Sequence, residues 1–155
     1  EQVRRGDLPR PDSITVAAGT LGTVAGLAIG AALTDLTDRI TGIRIVPSTV
    51  GNRLVLGTLV EGAVRRLEAA GVRMPDPRLV LDRVELLGDY FGAGYGRPAE
   101  WGDRATAWFA QRGLELDPSY TAKTAAGLLD RLAAEPDGVH LYWHTLSSVH
   151  PAPRP

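Results

Sequence analysis

Between Ser13 and Thr34 no residue carries a charge. A run of this length fits either a helix that crosses a bilayer or a set of buried elements at the centre of an α/β domain. The first reading draws on Gly22, Gly26 and Gly30, whose four-residue spacing lets membrane helices approach closely. It would make the chain a membrane-anchored protein with 13–34 as its span. Against it, the run is mostly Ala, Gly and Thr, is bounded by Asp12 and Asp35, and has no aromatic anchor at either boundary. The second reading divides the run into a short strand at Ile14–Val16, a glycine and threonine loop at Gly19–Thr23, and an Ala-rich helix from Val24 onward. It is favoured because strand and helix patterns alternate along the rest of the chain.

Ile43, Ile45 and Val46 predict a second strand stopped by Pro47, and Leu56, Leu59, Val60, Ala63, Val64 and Leu67 recur at helical spacing up to Gly71. A third strand falls within Leu79–Leu87. Pro98 opens a helix with Trp101, Ala105, Trp108 and Phe109 on one side, and Asp117-Pro118 opens another with Ala125, Leu128, Leu129 and Leu132 as its buried stripe. Val139, Leu141 and Trp143 alternate with His140, Tyr142 and His144, as in a final strand. The order β-α-β-α-β-α-α-β predicts an open, largely parallel sheet flanked by helices, with ligands at the carboxyl ends of its strands. The expected organisation is a polar leader over 1–12, one α/β domain over 13–145, and a divergent proline-rich tail over 146–155.

Composition narrows the chemistry. The formal net charge is −1 with acids and bases interspersed, which argues against a nucleic-acid partner. There are no cysteines, so thiolate nucleophiles, thiolate zinc and disulfides are excluded. His140, His144 and His150 have no carboxylate at ligand spacing, and no metal site is expected. A cytoplasmic location with no export signal is the expectation. The loop at Gly19–Thr23 can act as an anion cradle. Its glycines let successive amides point inward, the threonine hydroxyls add donors, and the following helix presents its positive end. No lysine follows the loop, so it is not the nucleoside-triphosphate type; a plain connection is the alternative.

Three segments also resemble a known family. They are V-A-A-G-T-L-G-T-V-A-G-L at Val16–Leu27, D-Y-F-G-A-G-Y-G-R-P at Asp89–Pro98, and L-D-P-S-Y-T-A-K-T-A-A-G-L at Leu116–Leu128. In this order and at these separations they resemble the pyridoxal-phosphate enzymes of the tryptophan-synthase-β fold (fold type II) that include D-cysteine desulfhydrase and 1-aminocyclopropane-1-carboxylate (ACC) deaminase. The resemblance covers the carboxy-terminal part of a typical member. It implies that Gly19, Thr20, Leu21, Gly22 and Thr23 hold the phosphate of pyridoxal 5'-phosphate. It places Tyr95 and Tyr120 beside the substrate and Thr121 against the pyridine nitrogen, where the ACC deaminases carry a glutamate. A hydroxyl there does not enforce a protonated ring, which points to β-elimination from a D-amino acid such as D-cysteine. Without the resemblance, the reading to prefer for the two tyrosines is that they are space-filling rings hydrogen-bonded to the backbone. Lys123 matches a family position with a structural or electrostatic role.

The family's cofactor lysine lies ahead of the phosphate loop, and Glu1–Asp12 contains no lysine. The expectation is therefore a chain inactive alone, which needs a small amino-acid substrate and either a complementary amino-terminal segment or a homo-oligomer. The alternative is a non-catalytic phosphate-binding α/β module, such as a decayed paralogue.

Overall fold

A computed structural model describes residues 1–145, so the expected tail lies outside the described residues. The elements are α1 (Gln2–Arg5), β1 (Ser13–Ala18), α2 (Gly22–Thr34), β2 (Ile40–Arg44), α3 (Arg53–Ala69), α4 (Pro77–Leu81), β3 (Val84–Leu87), a 3-10 turn at Asp89–Phe91, α5 (Glu100–Ala110), α6 (Thr121–Ala134) and β4 (His140–Trp143). The strands form one sheet in the order β3-β2-β1-β4, and every neighbouring pair is parallel. Ile14 stands opposite Ile40 on one side and Leu141 on the other, and Ile40 stands opposite Val84.

The lack of charge in β1 has a physical cause. Both its faces are covered, as expected for a central parallel strand. Ile14, Val16 and Ala18 are buried with Ile40 and Val84 under α2, α3 and α4. The opposite face receives α6, backed by α5 through Ala105, Phe109, Ala122 and Ala125. Glycine permits close approach on each side. A Cβ at Gly42 would stand 2.8 Å from Leu86 Cδ2, 3.2 Å from Ala18 Cβ and 3.4 Å from Val24 Cγ2, so the first turn of α2 can rest on β2 only if that side chain is missing. A Cβ at Gly127 would meet Ile43 Cδ1 at 2.5 Å, which is how α6 gets down onto the sheet.

Several boundaries differ from the sequence reading. β2 is Ile40–Arg44, so it takes in Gly42 and ends before the expected Ile45 and Val46, and α5 starts at Glu100, two residues after Pro98. α2 begins at Gly22, so the last two residues of the expected loop are helical. Leu79, Val80 and Leu81 belong to α4, because Pro77 opens a helix there and the Asp76 carboxylate accepts the Arg78 amide at 2.8 Å; the third strand is Val84–Leu87. The helix expected from Pro118 starts at Thr121. Among the described residues no helix is long and apolar enough to cross a membrane, and the 13-residue α2 buries Val24, Ala25, Ala28, Ile29 and Ala31.

Candidate functional site

The turn between β1 and α2 is shaped by Leu21. Its backbone is left-handed (φ 67°, ψ 0°), which costs a side-chain-bearing residue roughly 1–2 kcal/mol. The buried leucine side chain offsets this by about 1.5–3 kcal/mol. Among the described residues the N–H groups of Gly19, Thr20, Leu21, Gly22 and Thr23 have no hydrogen-bond partner, and the first α2 amide that bonds is Ala25, to the Leu21 carbonyl at 2.9 Å. No side chain caps this helix end and no acid stands in its first turn. Unpaired amides and the helix's positive end therefore converge on one place.

That place is a cleft of about 460 Å³ at the carboxyl ends of the strands, walled by Ala17, Gly19–Thr23, Val46, Tyr95, Tyr120 and Thr145. Tyr95 comes from the segment after β3, and Tyr120 from the turn leading into α6. Their rings meet edge to face with centroids 5.7 Å apart, and their hydroxyls are hydrogen-bonded. Both are substantially exposed, at 54% and 40%. The bond to Tyr95 raises the Tyr120 phenol above its ordinary value. The structure thus brings together the five loop residues and both tyrosines named from the sequence.

Thr121 is adjacent but turned away. It is buried, its hydroxyl donates to the Asp117 carboxylate at 2.7 Å and accepts the Asp117 amide at 2.6 Å, and it does not line the cleft. Asp117 also accepts the amides of Ser119, Tyr120 and Thr121 at 2.8–3.0 Å. Burial pushes the Asp117 carboxyl up, but the hydrogen bonds from Thr121, Tyr120 and Ser119 together hold it below the ordinary range. The Tyr142 hydroxyl donates to the Thr121 carbonyl at 3.0 Å, and its phenol is raised, first by burial and then by the charge of Asp117.

Three cleft residues escaped the sequence reading as site members: Ala17, Val46 and Thr145. Each follows from strand geometry, since Ala17 lies near the end of β1 while Val46 and Thr145 follow β2 and β4, and the parallel pairing puts these ends at the same edge. A larger cleft of about 890 Å³ lies beside β3. Its arginines are engaged, Arg39 with Glu135 at 2.6 Å, Arg131 with Glu135 at 3.1 Å, and Arg53 with the Val84 carbonyl at 3.0 Å. It is a solvated charge network and not a convergent site.

The cradle's donors suit a phosphate ester. They are neutral amides at a helix start plus two threonine hydroxyls, with no carboxylate in the wall, and a Cβ at Gly22 would meet nothing within 4 Å. A covalent amine is not among them. Lys123, the single lysine of the chain, is buried and committed to main-chain carbonyls.

No family model matches the sequence. It is 32% identical over 148 residues to proteins named D-cysteine desulfhydrase from two strains of Klebsiella pneumoniae, covering 90% of this chain and 42% of each relative. A crystal structure described as an ACC deaminase homologue is similar with a TM-score of 0.68 and 28% identity, over 91% of this chain and 41% of that one. The chain thus spans about two fifths of the relatives it matches.

Proposed function

We propose, from the premise that this chain matches part of the D-cysteine desulfhydrase and ACC deaminase family, that it supplies the phosphate cradle and tyrosine wall of a pyridoxal-phosphate lyase. The reaction of the whole protein is β-elimination from a D-amino acid: D-cysteine and water give pyruvate, ammonia and hydrogen sulfide. The carrying observation is the set of unpartnered amides at Gly19–Thr23, which faces two hydrogen-bonded tyrosines across one cleft. Pyridoxal phosphate, when bound, supplies the electron sink for charge developing at the substrate α-carbon.

Each part of the chain has its task. The loop amides and the hydroxyls of Thr20 and Thr23 bind and orient the phosphate. The phenol oxygens of Tyr95 and Tyr120 hold the substrate carboxylate or move a proton, one hydroxyl donating to the other. Position 121 carries a threonine with its hydroxyl turned to Asp117, and no carboxylate stands in the cleft wall to keep a ring nitrogen protonated; this supports elimination over cyclopropane ring opening. The amine that would hold the cofactor covalently comes from chain outside these residues, since Lys123 Nζ is occupied at Phe91 and Gly94.

Titration of the chain with inorganic phosphate, followed by phosphorus NMR, tests the cradle. Gly22→Val puts a branched side chain at the cradle mouth, where nothing in the fold opposes it. A loss of about tenfold or more in affinity, equivalent to ~1.4 kcal/mol, is expected. Equal binding by both proteins, or none by the natural chain, would sink the reading.

A further inference from the structure

We infer that Lys123 is a positioning residue that sets where Tyr95 stands in the cleft. Lys123 lies in α6 with its side chain 1% exposed, an expensive location for an ammonium unless polar partners replace water. Two partners do so: Nζ donates to the Phe91 carbonyl at 2.7 Å and to the Gly94 carbonyl at 2.8 Å, and it lies 5.5 Å from the Phe91 ring centroid. Burial draws the ammonium's pKa below its ordinary value, the expected cost of the location.

The carbonyls it holds belong to a segment with little support of its own. Gly92, Gly94 and Gly96 have φ of +64°, +140° and +67°, a conformation that glycine alone adopts freely. The segment's main-chain hydrogen bonds are Phe91 N–H to the Gly88 carbonyl and Arg97 N–H to the Gly94 carbonyl. Lys123 bridges both ends of the Gly92–Ala93 step, and Gly94 is the residue immediately before Tyr95. Tyr120 stands three positions before Lys123, directly ahead of the same helix. One turn of α6 therefore fixes both phenols, Tyr120 through the chain and Tyr95 through the ammonium, and their hydroxyls meet. A leucine at position 123 could fill the volume but could not tie the segment. The bearing on catalysis rests on the proposed lyase reading; the tie itself does not.

Lys123→Met keeps the length and removes the donors. In tyrosine-labelled protein, ring-to-ring NOEs between Tyr95 and Tyr120 are expected to vanish. Those between Phe109 and Tyr142, whose ring centroids stand 5.5 Å apart outside the tied segment, are expected to persist. Phosphate affinity should stay within about twofold, because the cradle shares no partner with Lys123. Persistence of the Tyr95–Tyr120 contact overturns the inference, and so does loss of both contacts together, which would make Lys123 a general support of the fold. Should the variant not fold, the natural chain labelled with 15N-lysine gives a single ammonium signal. Slow exchange with solvent supports a held ammonium, and free exchange overturns it. Failure of the natural chain to bind phosphate would remove the lyase reading while leaving these NMR outcomes to decide Lys123.

Discussion

Asp117 holds its turn by accepting three consecutive amides and the Thr121 hydroxyl, and the start of α6 depends on it. Removing these acceptors with Asp117→Ala should cost about 1–2 kcal/mol in urea unfolding. The pH dependence has a definite sign. The folded-state carboxyl is depressed below 3.8, so its contribution is complete above that value and is lost as pH falls through the depressed one. Asp117→Asn should therefore flatten the acid limb of stability below pH 3.8 and change little near neutrality beyond a constant offset. An acid limb as steep as that of the natural chain would refute the assignment. The sequence announced Asp117 as a cap, since aspartate before proline is a helix-opening pattern. It did not announce that the carboxylate would hold 117–120 as a turn and delay the helix to Thr121, because that depends on the Thr121 hydroxyl folding back. Lys123 was legible only as a family position; what it holds depends on a segment about thirty residues earlier.

Elements meet where glycine allows, and two glycines of similar appearance should behave oppositely. Gly42 lies inside β2 beneath Val24, Leu86 and Ala18, so Gly42→Ala must displace packed atoms on three sides and should destabilise by about 1–3 kcal/mol. The displaced Val24 is in the first turn of α2, so phosphate binding at the cradle should weaken as well. Gly26 is in α2 with nothing within 4 Å of a Cβ, and Gly26→Ala should stabilise by roughly 0.5–1 kcal/mol by restricting the unfolded chain and favouring helix. Paired urea titrations check both, and a common sign would show that the packing around Gly42 is not as tight as these distances state. The strand-loop-helix division of 13–34 was legible because an uncharged run dominated by Ala, Gly and Thr has few large aliphatics for a span. The extent of α2 was not, since Gly22 and Thr23 are poor helix formers, exposed themselves, and stand in the first turn between the buried Leu21 and Val24.

At the scale of the molecule, periodicity gave the alternation of strands and helices, but the order β3-β2-β1-β4 comes from the pairing of remote segments, which no local pattern encodes. That order leaves β4, among the described residues, hydrogen-bonded to β1 alone. Beside it runs a groove of about 680 Å³ between α1, α2 and β4, which Leu27, Leu36 and Leu141 help to line. Trp143 at its rim is 44% exposed, and Leu33, in the last turn of α2, is 43% exposed. A strand edge next to an apolar groove is a pairing surface. The chain alone is therefore expected to self-associate as its concentration rises in sedimentation velocity. Trp143→Lys, which charges the edge and shrinks the apolar rim, should shift the distribution towards monomer while leaving the cleft residues in place. A monomer at every concentration in the natural chain would show that the groove is already satisfied, and an unchanged distribution in the variant would move the association to another face.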